Sequence, residues 1–230
     1  MADARRVALA ALAAATLAGC GGSAPAGNGV ASKTPARIVA LAKSAATRAA
    51  SVRVAGSIVS EGKPISLDME LLAQQGGKGR IALDGLSFRL VEVDRAVYVK
   101  GSAAFYDRFA GPTAARVLRG RWLKGSAETG ALAPLASLAD LSELLDSTLA
   151  GHGALSRGAS TSVVGQQAVA VTDAAADATL YVAATGTPYP LEIVKRGAGD
   201  GRIVFDRWNQ PVSLAVPANA INVKQLEGGR

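Results

Sequence analysis

Residues 65–71, Ile-Ser-Leu-Asp-Met-Glu-Leu, alternate strictly between apolar and polar side chains. Successive side chains of a β-strand point to opposite faces of a sheet, so this period of two predicts a strand with one buried and one solvated face. Comparable runs lie before it at 52–59 and after it at 78–84, 88–93 and 96–100. The connections between these runs are short, whereas parallel neighbours require long crossovers. The first half of the chain is therefore predicted to form antiparallel hairpins.

Strands also fill the second half of the chain. After a short strand at 121–124, apolar runs bounded by Gly-, Asp- or Pro-containing turns predict further strands. They lie near 160–164, 168–172, 179–183, 190–195, 202–208 and 212–216. The connection lengths predict that all of about eleven strands are antiparallel. A single sheet of this size tends to curl around whatever covers its concave face.

Two segments with helical periodicity are available as that cover. Thr34 supplies an N-cap oxygen and Pro35 suits the first helical position, so we predict a helix from here to about Ser51 with an Ala-rich apolar face. Residues 134–150 carry leucines every three or four positions and predict one amphipathic helix. Glycines on both sides of this second helix make it the better candidate for a movable cover.

Between these two helices, residues 103–118 are predicted to form one or two short helical turns, interrupted by Gly111-Pro112. The expected fold class is therefore α+β. It consists of a strongly curved antiparallel sheet, a half-barrel, with an N-terminal helix and a central helical insertion covering the concave face.

The sequence contains few of the side chains that catalytic or metal sites need. Its one histidine, His152, lies between two glycines, and no Gly-x-Ser-x-Gly motif occurs, so a Ser-His-Asp hydrolase is not expected. One histidine and one cysteine do not form a zinc cluster. Asp140, Glu143 and Asp146 recur at helical spacing and are interpreted as a solvated helix face. We therefore expect no enzymatic activity, no metal and no cofactor.

The charge balance of the chain is basic, with a formal net charge of +7. The lysines and arginines are scattered, without a run of four or more, so we interpret them as a solvated basic surface and expect no nucleic-acid binding. A positive charge of this size is consistent with a mild attraction to anionic lipid headgroups.

The N-terminus has the pattern of an exported precursor. Arg5 and Arg6 precede an uncharged apolar run over 7–17, which continues into Ala18, Gly19 and Cys20. This order resembles a bacterial lipoprotein signal peptide with its lipobox. The resemblance implies transfer of diacylglycerol to the Cys20 sulfur, cleavage between Gly19 and Cys20, and N-acylation of the new terminus. The mature protein is then exported and anchored to the cell membrane on its extracytoplasmic face.

Three parts of the chain follow from these patterns. Residues 1–19 are assigned to the signal peptide. Residues 20–33 are assigned to a flexible tether with a lipidated N-terminus, because their Gly, Ser, Ala and Pro side chains cannot bury a core. Residues 34–230 form the folded domain, and no stretch in them is long and apolar enough to span a bilayer as a helix.

Several local patterns resemble, in their order and spacing, the LppX/LprG-type lipoproteins of the wider LolA/LolB-like superfamily. Besides the lipobox and the capped helix at 34–35, they are 97–100 before a helical insertion, Trp122 before the Leu-rich helix, and the closing segments 181–191 and 205–217. This resemblance implies an open half-barrel with helices across its mouth. It also implies a cavity for lipids or lipidated glycoconjugates, without catalytic residues or a cofactor.

The candidate site is the space between the sheet and its helices. Ten apolar side chains are candidates to line a ligand cavity there, and for each of them an ordinary core position is the alternative. They are Phe88, Leu90, Tyr98, Phe105, Tyr106, Trp122, Leu138, Leu141, Leu145 and Trp208. Two functions stay open: a carrier of a lipid or acylated ligand, and a non-catalytic structural or sensory lipoprotein that binds an envelope protein.

Overall fold

The computed structural model describes residues 26–60, 62–141 and 153–227. Over these ranges the chain forms one open, curved sheet of twelve strands, antiparallel except for one pair at its edge. The strands are β1 (Ser51–Ser60), β2 (Lys63–Leu72), β3 (Gly76–Leu83), β4 (Leu86–Val93), β5 (Ala96–Gly101), β6 (Leu123–Ser126), β7 (Leu155–Val163), β8 (Gln166–Asp173), β9 (Ala178–Ala183), β10 (Pro190–Lys195), β11 (Gly201–Asp206) and β12 (Ile221–Asn222). The predicted α+β class with a strongly curved sheet is confirmed.

Two meanders make up the sheet, because its strand order is 12-6-5-4-3-2-1-11-10-9-8-7. Tight two-residue turns join several neighbours, and at Asp84-Gly85 and Asp94-Arg95 both residues have positive φ. Paired positive φ angles are those of the type I′ turn, whose twist matches that of the strands it connects. The turns therefore fix the register of the first meander without help from distant residues.

The two meanders become one sheet where β1 pairs with β11. Val54 lies opposite Phe205, and both side chains are almost fully buried. On the other face Arg53 binds carboxylates of both neighbouring strands: Nε donates to Asp68 at 2.7 Å, and Nη1 donates to Asp206 at 3.1 Å. The hydrogen bond to Asp68 raises the pKa of Arg53 above its ordinary value. The pairing of β1 with β11, which we call the seam, is thus stabilised by ion pairs on one face of the sheet and by an apolar contact on the other.

The register assigns every strand residue to a face, because directly opposed residues of antiparallel strands point to the same side. One row across the sheet contains Phe205, Val54, Met69, Gly79, Leu90, Val99 and Leu123, and its side chains belong to the main core. The parallel row on the opposite face contains Asp206, Arg53, Glu70, Lys78, Val91, Tyr98 and Lys124. We call the first face concave, since the helices cover it, and the second convex.

The helices of the described residues lie where the sequence predicts cover, with differences in detail. They are α1 (Pro35–Thr47), α2 (Ala103–Leu118) and the short α3 (Val223–Glu227). Helix α1 begins at the predicted position, with Thr34 as the N-cap residue and Pro35 first in the helix, and it packs against β7 to β10. The Thr34 side chain makes no capping hydrogen bond, and the helix ends at Thr47, earlier than the predicted Ser51. Helix α2 is longer than the predicted turns and packs against β4 and β5, but Gly111 breaks its helical geometry at the predicted position with φ 79° and ψ 163°.

The single helix predicted over 134–150 is wrong in its first part. Residues Ala133–Ala139 form a 3-10 helix that packs on β3, β4 and β5, and Asp140 is extended, with φ −90° and ψ 114°. The Ser137 hydroxyl donates to the carbonyl of Pro134 at 3.2 Å, a local bond that competes with regular helix formation. Residues 142–152, which include Leu145 and His152, lie outside the described residues.

The predicted strand at 212–216 is also wrong. Residues 207–220 form no ladder and run past the first meander to its far edge, where β12 pairs with β6 in parallel. Pro211 and Pro217 lack the N–H that a ladder needs, and the carbonyl of Ser213 instead accepts a hydrogen bond from Lys78 Nζ at 2.8 Å. This one pair also corrects the expectation that all strands are antiparallel.

Residues 26–33, which were assigned to the tether, pack against the domain. Val30 is 1% exposed and belongs to the main core. The Asn28 side chain donates to the carbonyls of Ala183 and Gly186 at 2.9 and 3.0 Å, and Arg157 donates to the carbonyl of Ala31 at 2.6 Å. Side-chain to main-chain bonds thus add to the apolar burial that Val30 provides. Residues 1–25, with Gly19 and Cys20, lie outside the described residues.

The seam between β1 and β11 gives the first testable prediction. Phe205→Ala removes a ring from the concave side of the seam, and we expect the free energy of unfolding to fall by about 3–5 kcal/mol. Val204→Ala, one residue earlier on the convex face, should cost about 1 kcal/mol. Urea unfolding of both variants measures the difference, and equal losses would show that the concave contact does not hold the meanders together.

Candidate functional site

The concave face carries the main hydrophobic core of the described residues. Side chains from α1, α2 and the 3-10 helix Ala133–Ala139 meet those of the sheet there in one buried cluster. Glycine allows this approach at Gly101, where a Cβ would lie 2.2 Å from the Phe105 ring. The cover therefore touches the sheet closely.

Five of the predicted lining residues are brought together in this cluster: Phe88, Leu90, Phe105, Tyr106 and Leu141. Each is at most 8% exposed. The Phe105 ring centroid lies 5.1 Å from that of Phe88 and 5.6 Å from that of Tyr106, within the range of favourable aromatic pairs. These side chains lie on the face where a ligand was expected, but they pack against one another there as ordinary core residues do.

Tyr106 ties the cover to the sheet through its hydroxyl. It donates to the carbonyl of Arg121 at 2.8 Å and accepts from the N–H of Gly101 at 3.0 Å. Burial raises the pKa of Tyr106, and the Gly101 N–H opposes the shift. The hydroxyl therefore stays protonated at neutral pH and satisfies two backbone groups, which is a structural role.

Tyr98 and Trp122 do not line the concave face, and the prediction for these two residues is wrong. Tyr98 lies opposite Val91 and Lys124 in the convex row, with Lys124 Nζ 5.6 Å from its ring centroid. Trp122 precedes Leu123, which faces the concave side, so Trp122 faces the convex side. Strand β5 is buried from Ala96 to Val99, and alternation therefore could not separate its two faces.

Two further predicted residues lie at the margin of the core. Leu138 is 37% exposed on the outer side of the cover. Trp208 stacks on Tyr189 with ring centroids 4.4 Å apart and an interplanar angle of 4°, and it is partly buried against the core. Asn209 Nδ2 donates to the Tyr189 hydroxyl at 2.6 Å, which holds this stack at the start of β1. Trp208 thus closes one end of the sheet.

A cleft opens at that end of the sheet, beside the cover, and we call it the end cleft. Its volume is about 430 Å³. It is lined by Leu72, Gln74, Gln75, Gly76, Glu92, Val93, Asp94, Arg95, Asp140, Leu141, Val212 and Leu214. Clefts of this size are typical of small-molecule sites, and here the concave face meets solvent. The end cleft is therefore the opening of the candidate site.

Glu92 is the polar group that sequence reasoning missed. It continues the inward row of Phe88 and Leu90 along β4 and lies opposite Val97, which is fully buried. Burial raises the pKa of Glu92, and the nearby charge of Asp140 raises it further. A carboxylate at the end of an apolar stripe was a detectable signal, since the alternation of β4 assigns position 92 to the core face.

Among the described residues, no group of three His, Cys, Asp or Glu side chains is arranged to hold a metal ion. Within the same ranges, no helix is both long enough and apolar enough to cross a bilayer.

An open, curved antiparallel sheet whose concave face is covered by separate helical segments is the architecture of the LppX/LolA-like fold. The chain is similar to LprF from Mycobacterium bovis, with a TM-score of 0.57 and 16% sequence identity over 80% of this chain and 97% of that one. It also resembles the Mycobacterium tuberculosis lipoprotein LppX, with a TM-score of 0.49 and 16% identity over 79% of this chain and 100% of that one.

No protein-family model matches the chain, and no curated protein matches it by sequence. At 16% identity, the likeness to LprF establishes the fold alone. At that level, the predicted resemblance to LppX/LprG-type lipoproteins is confirmed.

Glu92 gives the second prediction. The pKa of Glu92 is raised in the folded protein, so its ionised form lowers the stability of the fold at pH values above this raised pKa. Below the ordinary pKa of about 4.3, Glu92 is protonated in the folded and the unfolded protein alike, and this loss of stability disappears. Glu92→Gln should therefore raise the melting temperature at pH 7 and leave it nearly unchanged at about pH 3.5.

Glu128→Gln is the control, because this exposed carboxylate forms only a surface ion pair with Arg95 at 3.5 Å. It should change the melting temperature little at either pH. A Glu92→Gln variant that is less stable at pH 7 would contradict the assignment of a half-buried, repelled carboxylate.

Proposed function

We propose that the protein is a membrane-anchored envelope lipoprotein that binds and carries a lipid or lipidated glycoconjugate at the concave face of its sheet. One observation carries the proposal: a broad apolar face lies under a cover that is interrupted and opens at the end cleft. No catalytic step is part of it. The apolar tail leaves water for the concave face, and the polar headgroup stays at the opening.

The interruptions in the cover support a movable lid. Gly111 divides α2, and the extended Asp140 follows directly after the 3-10 helix Ala133–Ala139. Breaks of this kind at element ends absorb the dihedral changes of lid motion. Leu141 lies just beyond the second break and lines the end cleft. The cover can thus move in pieces while the sheet keeps its register.

The energetics allow such a displacement. The concave space is filled by side chains, so a ligand has to replace contacts between cover and sheet. Each methylene group that leaves water contributes about 0.8 kcal/mol, and a tail of about ten groups therefore gains about 8 kcal/mol. That gain offsets the apolar surface that the cover would expose when a tail enters between cover and sheet.

The anchor at Cys20 is the second part of the proposal. The chain is already packed against the domain at Gly27, which bridges to Thr185. Few residues separate it from Cys20, and a fully extended segment of that length spans only about 20–25 Å. A lipidated Cys20 would therefore hold the domain close to the bilayer that supplies or receives its ligand.

A second candidate function is binding of an envelope protein partner by a closed half-barrel. The filled core favours it, together with Phe109 and Val117 on α2, which are both 67% exposed. Phe109 contacts the buried Phe105, with ring centroids 4.7 Å apart. Exposed apolar side chains on a helix suit a protein interface when they form one patch.

Bound lipid separates the two candidates. The chain from residue 20, carrying Cys20→Ser and placed behind a signal peptide without a lipobox, is exported without its anchor. It is purified without detergent, extracted with organic solvent and examined by mass spectrometry. We expect a stoichiometric acylated molecule. Leu141→Lys places a charge at the mouth of the concave face, where Leu141 is 3% exposed, and should abolish the bound lipid.

Leu138→Lys is the matched control, because Leu138 lies on the same cover but is exposed. This variant should keep its lipid, and circular dichroism of both variants monitors the fold. An unmodified protein that carries no lipid, in a folded state, would overturn the carrier and favour the protein-binding alternative.

A further inference from the structure

A second cleft lies on the convex face, away from the helices, and we call it the convex cleft. Its volume is about 520 Å³, and its lining includes residues of β1 to β4 together with Trp122 and Arg207. Five of the lining side chains are basic and two are acidic. They are Arg53, Lys78, Arg80, Arg89 and Arg207, with Asp68 and Glu70. The lining therefore carries a net positive charge.

Three basic residues follow one another directly across neighbouring strands beside this cleft. Arg80 on β3 lies opposite Arg89 on β4, and Arg89 lies opposite Lys100 on β5. Directly opposed like charges destabilise a sheet, since their Cβ atoms are only about 5 Å apart. Within the described parts of the chain, none of the three forms an ion pair or a side-chain hydrogen bond.

The nearby carboxylates do not neutralise this basic row, because other cations already bind them. Asp68 is the direct neighbour of Arg80, but both of its oxygens accept hydrogen bonds from Arg53, at 2.7 and 2.9 Å. Glu70 pairs with Lys78 and Arg207, each at 3.3 Å. The positive charge of Arg80, Arg89 and Lys100 is thus left for a partner outside the chain.

Trp122 extends the same row. Leu123 pairs with Val99, so the preceding Trp122 is next to Lys100 on the convex face, and it lines the convex cleft with Arg80 and Arg89. It is partly exposed there. Tryptophan beside basic side chains is typical of surfaces at the membrane–water interface, where the ring lies at the level of the headgroups.

We propose that this row, Arg80, Arg89, Lys100 and Trp122, docks the protein onto a bilayer by binding the phosphates of anionic phospholipid headgroups. Charge complementarity selects the phosphate, and guanidinium groups bind it through paired hydrogen bonds. Because the segment between Cys20 and Gly27 is short, an anchored Cys20 would keep this row near the bilayer, and we therefore propose membrane lipid as the source of the phosphate. This step rests on the proposed anchor. Docking would orient the domain with its convex face on the membrane and its helical cover away from it.

Vesicle binding tests the proposal. The unanchored chain from residue 20 with Cys20→Ser is sedimented with vesicles of phosphatidylcholine alone, or with one third phosphatidylglycerol. We expect salt-sensitive binding to the anionic vesicles only. Replacing Arg80, Arg89 and Lys100 together by Gln should weaken it by about a hundredfold, given the contribution of each basic residue near an anionic surface.

A matched control removes the same charge from the other side of the sheet. Arg108, Arg116 and Arg119 are exposed on α2 or at its end, and replacing these three by Gln should leave vesicle binding close to that of the unchanged protein. Docking would be overturned if both triple variants lost binding equally, or if the protein showed no preference for anionic vesicles. It would also be overturned if millimolar inorganic phosphate displaced the protein from these vesicles. A protein that extracts with lipid yet ignores the vesicles overturns docking alone and leaves the carrier proposal standing.

Discussion

The pairing of β1 with β11 is the interaction on which the rest of the structure depends. It joins residues about 150 positions apart and converts two local meanders into one sheet with a continuous concave face. Buried Val54 and Phe205 secure one side of the seam, and Arg53 secures the other by binding Asp68 and Asp206. Hairpins close a short loop at little entropic cost, whereas the β1–β11 contact closes a longer loop than any other pair of named strands. Without it the helices would have no common surface to cover.

The seam also separates two different kinds of cover. Helix α1 is regular and lies on the strands of the second meander, and the packed segment before it adds Val30 to the same core. The cover of the first meander consists of the divided α2 and a 3-10 helix that ends at Asp140. The regular cover of the second meander and the divided cover of the first suit a protein in which the first half of the concave face opens while the rest of the domain keeps its shape. The convex face, with its row of unneutralised basic residues, remains free to meet a surface.

Sequence patterns predicted the sheet well because the determinants are local. Alternation at 65–71, turn residues such as Asp84-Gly85, and Pro35 at the start of α1 act within a few positions. The candidate site was predicted less well. Tyr98 was assigned to the wrong face because both faces of β5 are buried. Trp122 lies just before β6, so its face follows from the register of Leu123 with Val99, and the regular leucine spacing at 134–150 concealed a 3-10 helix. Glu92 could have been found from the alternation of β4, whereas the basic row depends on register between strands, which composition and periodicity do not contain.

The central claim is that an acyl chain lies between the concave face and the divided cover. Photo-crosslinking with a phospholipid that carries a diazirine in its acyl chain tests it most directly, with the labelled residues located by mass spectrometry. The predicted result is labelling of concave residues around Phe105, Leu90 and Leu141. Labelling confined to convex residues such as Tyr98 and Trp122, or no labelling of the folded protein, would contradict the claim.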